Sequence, residues 1–470
     1  MVELLKLIES YGDAPAFKNL AGENSFVVTY REYLDKMKAC AYNLQQTFGD
    51  LKGKHIGIMA DSNYEYTVIL GAVLFSRGVL VPVNFFETPE NIEAAIYRSD
   101  LDGIIVEDKY REKVVSNITI ADKHEMLKEG NGSIELKDFT EEEKNNLALI
   151  IFTSGTTGLS KGVMLSVNNL VGFEATGHNS DFSEDAKGAA GLRIYNVFPF
   201  YHVAGIVGWL YRIEQKATTY LSADPRNVLS DLEGEQIDVG LVTPGIMNLW
   251  LTCIKKGNME RLGGLKLILT GGAKPDPAVI NTFLNNGIGF GQYYGLTEAS
   301  GNITCNFDVA NHLSSVGRMV DGCEVVFIDG EICIKYYGVM LGYYKDPEGT
   351  REVLDENGIL HTGDLGYMDE DGFLYITGRK KNLIILSSGE NVSPEELEKH
   401  AYGCEAVKEC KAYADNDRIH LEVFCDKDAQ EEVKNYISET NKKLPIFKRI
   451  YKVEFRDEEF EKTQLGKIKR

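Results

Sequence analysis

Apolar residues recur along this chain in two alternating rhythms, short unbroken runs and longer stretches with helical spacing. The run His55-Ile56-Gly57-Ile58-Met59 predicts a buried strand. Residues 61–76 then predict a helix, with Asp61 or Ser62 as its cap and Gly78 beyond its end. Strands at 79–83 and 104–106 follow, and the first nine residues predict a short amphipathic helix. The same order returns later. A strand at 265–269 leads into Thr270-Gly271-Gly272, Asp276 and Pro277 start a helix that Gly287 ends, and 288–293 predicts another strand. Such alternation predicts an α/β protein of mostly parallel sheets flanked by helices, with ligands bound beyond the carboxyl ends of the strands.

From Val325 the pattern shortens to strands and turns, including 331–337 and 373–377. A charged junction follows, Gly378-Arg379-Lys380-Lys381-Asn382, and beyond it short helices and strands alternate to Arg470. These changes predict a large N-terminal domain over 1–380, with a small β-barrel-like subdomain at about 325–380, and a small α+β domain over 382–470.

Composition narrows the function. The chain has 470 residues, 43% of them hydrophobic, enough for a sizeable core. Its net charge of −21 disfavours nucleic acid and anionic membranes, while leaving room for a local basic site that holds phosphates. The eight cysteines form no CxxC pair and no zinc-ligand spacing with the eight histidines, so they read as the reduced thiols of a cytoplasmic protein. Acidic residues interrupt the apolar N-terminus, unlike a signal peptide, and no uncharged run approaches the ~18 residues of a membrane span.

Four motifs carry candidate chemistry. The first, Thr153-Ser154-Gly155-Thr156-Thr157-Gly158-Leu159-Ser160-Lys161-Gly162, directly follows an apolar strand at 147–152. Small residues there let backbone N–H groups approach phosphate oxygens, and Lys161 adds a cation. Lys161 lies between Ser160 and Gly162, so this is not a Walker A loop. The second is Tyr294-Gly295-Leu296-Thr297-Glu298 at a strand end, where a carboxylate can hold Mg²⁺ against phosphates and Tyr294 offers a flat face to adenine. In the third, His361-Thr362-Gly363-Asp364-Leu365-Gly366, an aspartate can accept both hydroxyls of a ribose. The fourth is the basic tail Gly466-Lys467-Ile468-Lys469-Arg470. Taken singly, each also reads as an ordinary turn or a solvated tail.

In this order and at these separations, the four resemble the adenylate-forming superfamily of acyl-CoA synthetases, peptide-synthetase adenylation domains and beetle luciferases. The resemblance runs from about Phe152 to Arg470 and is nearest to AMP-forming acyl-CoA ligases. It also takes in Phe198-Pro199-Phe200-Tyr201-His202-Val203-Ala204-Gly205 and Leu269-Thr270-Gly271-Gly272-Ala273. The junction at 378–382 and the segment Ser388-Gly389-Glu390-Asn391-Val392 belong to it as well. The resemblance implies ATP, Mg²⁺ and CoA as reaction partners. It implies a phosphate loop from Thr153 to Lys161, an adenine strip of Gly271, Gly272 and Ala273, and Tyr294 as stacking partner. Thr297 falls at the α-phosphate contact, Glu298 at the Mg²⁺ ligand, and Asp364 and Arg379 at the ribose. Lys467 matches the lysine that bridges substrate carboxylate and α-phosphate. Lys381 falls at the hinge on which the small C-terminal domain moves, bringing Gly389 and Glu390 to the thiol side. His202, Val203, Gly205, Tyr293 and Gly295 fall along the acyl pocket.

Departures bear on the substrate. Ser160 stands where the family usually has proline. No aspartate occurs in 198–202 to hold an α-ammonium, which argues against amino acids. Gly295 is small, consistent with an acid larger than acetate, whereas bulky Tyr293 shortens the pocket or favours a flat aryl acid. Fatty and aromatic acids both stay open, as does a carrier-protein phosphopantetheine as acceptor in place of CoA. A nucleotide-binding protein without turnover is the alternative outside enzymes.

Overall fold

A computed structural model describes residues 3–153, 161–172, 191–272, 275–386, 391–416, 418–462 and 468. The chain divides into two compact units. One comprises Met1–Leu313, Gly317–Glu324 and Lys335–Leu360; the other comprises Ser314–Val316, Val325–Ile334 and His361–Arg470.

Two large sheets organise the first unit. One has nine strands in the order Arg318–Met319, Gly301–Asn306, Gly289–Leu296, Leu267–Thr270, Val239–Leu241, Arg193–Asn196, Thr218–Ser222, Pro15–Leu20 and Phe26–Thr29. From Gly289–Leu296 to Pro15–Leu20 neighbouring strands are parallel, and antiparallel strands close both edges. The other has seven, in the order Gly342–Tyr343, Lys161–Ser166, Leu147–Thr153, Val79–Pro82, His55–Met59, Gly103–Val106 and Thr119–Asp122. Neighbouring strands are parallel except around Lys161–Ser166, which pairs antiparallel with both Gly342–Tyr343 and Leu147–Thr153. The α/β architecture expected from the alternation is therefore present.

The first predicted helix spans Tyr64–Phe75, and its cap is neither Asp61 nor Ser62 but Asn63, whose side chain accepts from the Tyr66 N–H at 3.1 Å. The two earlier residues are engaged elsewhere. Ser62 Oγ accepts from the Phe200 N–H at 2.7 Å, and the Asp61 carboxylate accepts from the Tyr110 hydroxyl at 2.7 Å. Every residue from Tyr66 to Phe75 is buried, as befits a helix with an apolar surface all round. The later helix, Pro277–Asn285, starts where the sequence places it, with Asp276 Oδ1 accepting from the Ala278 N–H at 2.8 Å.

The second unit holds nearly all of a four-stranded sheet, ordered Glu324–Ile328, Glu331–Lys335, Leu360–Met368 and Leu374–Arg379. It also contains a three-stranded sheet of Glu409–Asp415, Arg418–Phe424 and Ile450–Arg456. Leu397 of helix Pro394–Ala401 and Val433 of helix Gln430–Lys443 join Leu421 of that sheet in an apolar core. Among the described residues no helix is long and apolar enough to cross a membrane.

Candidate functional site

Parallel strands end on one edge of their sheet, so the nine-stranded sheet collects three of the segments singled out above. Arg193–Asn196 runs on towards His202, Leu267–Thr270 runs into Gly271 and Gly272, and Gly289–Leu296 carries Tyr293, Tyr294 and Gly295. Thr297 and Glu298 follow in the 3₁₀ turn Thr297–Ala299. Tyr293 packs edge-to-face on Phe307, with ring centroids 6.2 Å apart, inside a cluster that includes Leu269 and Val239. Tyr294, its neighbour on the strand, projects to the opposite face.

Two glycines expected along the acyl pocket have a backbone reason to be glycine. A Cβ on Gly295 would lie 1.7 Å from the Gly301 carbonyl oxygen, because the register with Gly301–Asn306 shifts between Tyr294 and Gly295. One on Gly205 would lie 2.0 Å from the Pro199 oxygen. The smallness of Gly295 thus follows from this close approach, whatever the size of the pocket. Gly295→Ala is expected to destabilise the large unit by ~1–3 kcal/mol through forced backbone displacement. Thermal unfolding of the variant checks this, and an unchanged melting temperature would contradict it.

His202 stands at the start of helix Val203–Glu214 in extended conformation, its ring 4.8 Å from that of Tyr201. Val203, next along the helix, is buried. Burial lowers the proton affinity of His202 and keeps its imidazole neutral at neutral pH.

Thr153 and Lys161 face each other across the hairpin of Leu147–Thr153 with Lys161–Ser166, and Thr153 Oγ1 donates to the Lys161 carbonyl at 3.5 Å. The strand Gly342–Tyr343 lies against the same hairpin, pairing Tyr343 with Val163. Lys161 Nζ sits 4.6 Å from the Tyr343 ring centroid, and 3.8 Å from both Asp346 and Glu352. The Tyr343 hydroxyl donates to Glu298 Oε1 at 2.9 Å. Glu298 therefore presents a hard carboxylate held by the phenol. That donor chemistry fits Mg²⁺, which takes one or two carboxylates together with phosphate oxygens.

In the second unit Asp364 lies within strand Leu360–Met368, not in a turn, and pairs across the sheet with Arg379. Arg379 Nε donates to Asp364 Oδ1 at 2.7 Å. Glu331 accepts from Lys380 Nζ at 2.8 Å and from the Gly363 N–H at 3.0 Å, with His361 Nδ1 at 3.2 Å. Burial pushes the Glu331 carboxyl up, but the Lys380 and His361 bonds outweigh it and hold the group below the usual range. Cys333 Sγ lies 3.4 Å from His361 Nδ1. A cysteine and a histidine thus meet with a glutamate, contrary to the spacing argument, and their donor atoms lie within 4.8 Å of one another. The Glu331 carboxylate in this trio is already engaged by Lys380 and Gly363, which makes it a brace for the Lys380–Asn382 turn. Lys381 is the middle residue of that turn.

Ser154, Gly155, Thr156, Thr157, Gly158, Ala273, Gly389, Glu390 and Lys467 lie outside the described residues. Sequence reasoning missed Tyr343, Asp346 and Glu331. Their contacts with Glu298, Lys161 and Lys380 respectively lie at least 45 positions away in sequence, and the local mark on Asp346, as N-cap of Pro347–Val353, says nothing of Lys161.

The family model described as AMP-binding enzyme matches residues 6–344. A long-chain-fatty-acid–CoA ligase of Escherichia coli O6:H1 is 28% identical, with 98% of this chain and 92% of that protein covered. Among solved structures, ATP-bound MatB from Rhodopseudomonas palustris aligns with a TM-score of 0.85 at 23% identity, covering 99% of this chain and 97% of that one. The o-succinylbenzoate CoA synthetase MenE of Bacillus subtilis, in complex with the acyl-adenylate intermediate OSB-AMP, aligns with a TM-score of 0.82 at 22% identity, covering 99% and 96%.

Proposed function

Because the chain belongs to the AMP-binding enzyme family, we propose that it is an AMP-forming acid–thiol ligase. It activates a fatty or aromatic carboxylic acid with ATP and passes the acyl group to the thiol of coenzyme A. The observation that carries this reading is the family match over residues 6–344, which takes in Thr153, Lys161, Thr297 and Glu298.

In the first half-reaction the substrate carboxylate attacks the α-phosphorus, the bond to the bridging oxygen breaks, and pyrophosphate leaves. Both reactants are anions, so the residues must neutralise charge before the bond forms. Lys161 and Lys467 supply cations, the backbone of residues 153–161 cradles phosphate oxygens, and Thr297 donates to the α-phosphate. Glu298 would hold Mg²⁺, which would add its charge to theirs. Tyr294 with Gly271, Gly272 and Ala273 receives the adenine, and Asp364 with Arg379 the ribose. In the second half-reaction the thiol attacks the acyl carbon and AMP leaves. Gly389 and Glu390 border the thiol, while His202, Val203, Gly205, Tyr293 and Gly295 border the acyl group.

A neutral His202 suits an apolar acyl chain, and a net charge of −21 disfavours an acidic carrier protein as acceptor. Seven of the eight cysteines are buried, in keeping with a reducing cytoplasmic setting.

A panel of carboxylic acids, scored for pyrophosphate exchange and for AMP release with CoA or a carrier phosphopantetheine, tests the proposal. Exchange with none of the acids would leave a nucleotide-binding protein without turnover. Replacing Glu298 by alanine is expected to raise the Mg²⁺ requirement at least about tenfold, the scale set by groups that shape a metal site. The fold should survive, since Glu298 is only half-buried at a turn. Wild-type Mg²⁺ dependence in that variant would remove Glu298 from the metal.

A further inference from the structure

We propose that Tyr343 is a positioning residue for the adenylation step, its hydroxyl setting the Glu298 carboxylate while its ring carries the Lys161 ammonium. The inference rests on the roles given above to Glu298 and Lys161. One side chain touches both groups: its hydroxyl is 2.9 Å from Glu298 Oε1, and its ring centroid is 4.6 Å from Lys161 Nζ. Lys161 lies in a strand of the seven-stranded sheet and Glu298 in the turn after a strand of the nine-stranded one, so no shared strand fixes their separation. Tyr343 is 7% exposed, which shields both contacts from water and strengthens them.

The tyrosine is itself held firmly. Its N–H donates to Thr350 Oγ1 at 2.8 Å, and Thr350 Oγ1 donates to the Asp346 carbonyl at 2.7 Å. The Met340 N–H donates to the Glu298 carbonyl at 2.9 Å, so the same segment fixes the backbone of Glu298. Just beyond, the Tyr344 hydroxyl and Lys345 Nζ bind the Asp100 carboxylate at 2.8 and 2.6 Å. Gly349 completes the arrangement, because a Cβ there would lie 2.6 Å from Lys161 Nζ. A hydroxyl facing a carboxylate is the donor, so Tyr343 donates and Glu298 accepts.

With Oε1 occupied by the phenol, the carboxylate keeps a single orientation, and its other oxygen has no hydrogen-bond partner among the described residues. That oxygen is the one available to a cation. The phenol thus orders the carboxylate in advance of binding, and Lys161 is held near by the ring together with the Asp346 and Glu352 carboxylates, each 3.8 Å from its Nζ.

Two variants separate the two contacts. Tyr343→Phe keeps the ring and removes the hydroxyl. It should weaken Mg²⁺ binding in the presence of a non-cleavable ATP analogue by ~10-fold, measured by calorimetry, the scale of one hydrogen bond to a charged group. The Mg²⁺ half-saturation of pyrophosphate exchange should shift in parallel, with the KM for ATP at saturating Mg²⁺ unchanged. Tyr343→Leu removes both contacts and should also raise that KM by roughly threefold or more. Thiolysis of a supplied acyl-adenylate should proceed at the wild-type rate in both. In a Glu298→Gln background, Tyr343→Phe should add little further loss. Wild-type Mg²⁺ affinity in Tyr343→Phe, or a loss fully additive with Glu298→Gln, would overturn the proposal. The calorimetric titration reads Tyr343 even if the wild type turns over none of the acids, so failure of the proposed function is told apart from failure of this inference.

Discussion

Replacing Lys467 by alanine is expected to cut acyl-adenylate formation by about 100-fold or more while sparing thiolysis of a supplied acyl-adenylate. The magnitude is that of losing one preorganised charge aimed at a transition state. A carboxylate and a triphosphate repel each other as they approach, and a lysine bridging the attacking oxygen and the α-phosphate removes that repulsion where it is greatest. The second half-reaction has a neutral acyl carbon as its target and AMP as its leaving group, so it makes no comparable demand on this cation. Pyrophosphate exchange and single-turnover thiolysis, measured separately, decide the matter. Equal losses in both steps would show that Lys467 serves the whole site and would contradict a small domain that moves between steps.

Lys381→Pro is expected to show the opposite pattern, keeping much of the pyrophosphate exchange and losing most acyl transfer to CoA. The residues on either side of Lys381 are tied down. Arg379 pairs with Asp364 and Lys380 with Glu331, while Asn382 Nδ2 donates to Glu395 Oε1 at 2.6 Å. If a small domain over 382–470 moves against the rest, the change must be absorbed over the few bonds between these anchors, where Lys381 lies. Proline fixes φ near −65° and disfavours the helical region for the residue before it, here Lys380 in a 3₁₀ turn. The variant should then hold one orientation, the one in which adenylation occurs first. If Lys381 is only a solvated charge in a linker, proline leaves both half-reactions nearly intact. Normal CoA-ester formation by the variant would remove the hinge role.

Local sequence carried much of the fold because the strands and helices of the first unit are strongly periodic and bounded by recognisable turn residues. His55–Met59 and the Asp276–Pro277 helix start were legible from their own residues. The cap at Asn63 was not, because Asp61 and Ser62 are equally good caps and are diverted by Tyr110 and Phe200, distant in sequence. Taken singly, the segment at 361–366 also reads as an ordinary turn, and pairing with Leu374–Arg379 makes it a strand.

The sequence by itself determined the alternation of strands and helices, the motif order from Thr153 to Lys467, and hence the family and its chemistry. These depend on residue types at short spacings, which survive translation into any tertiary arrangement. Tertiary structure alone decided what stands beside each motif. Tyr343 reaches Glu298 across 45 residues, Cys333 meets His361 despite a spacing that suggested no pairing, and Gly295 is glycine because the Gly301 carbonyl approaches it. Hydrogen bonds, ion pairs and close contacts act over a few ångströms in space, and the folded path of the chain brings such partners within that range irrespective of their distance in sequence.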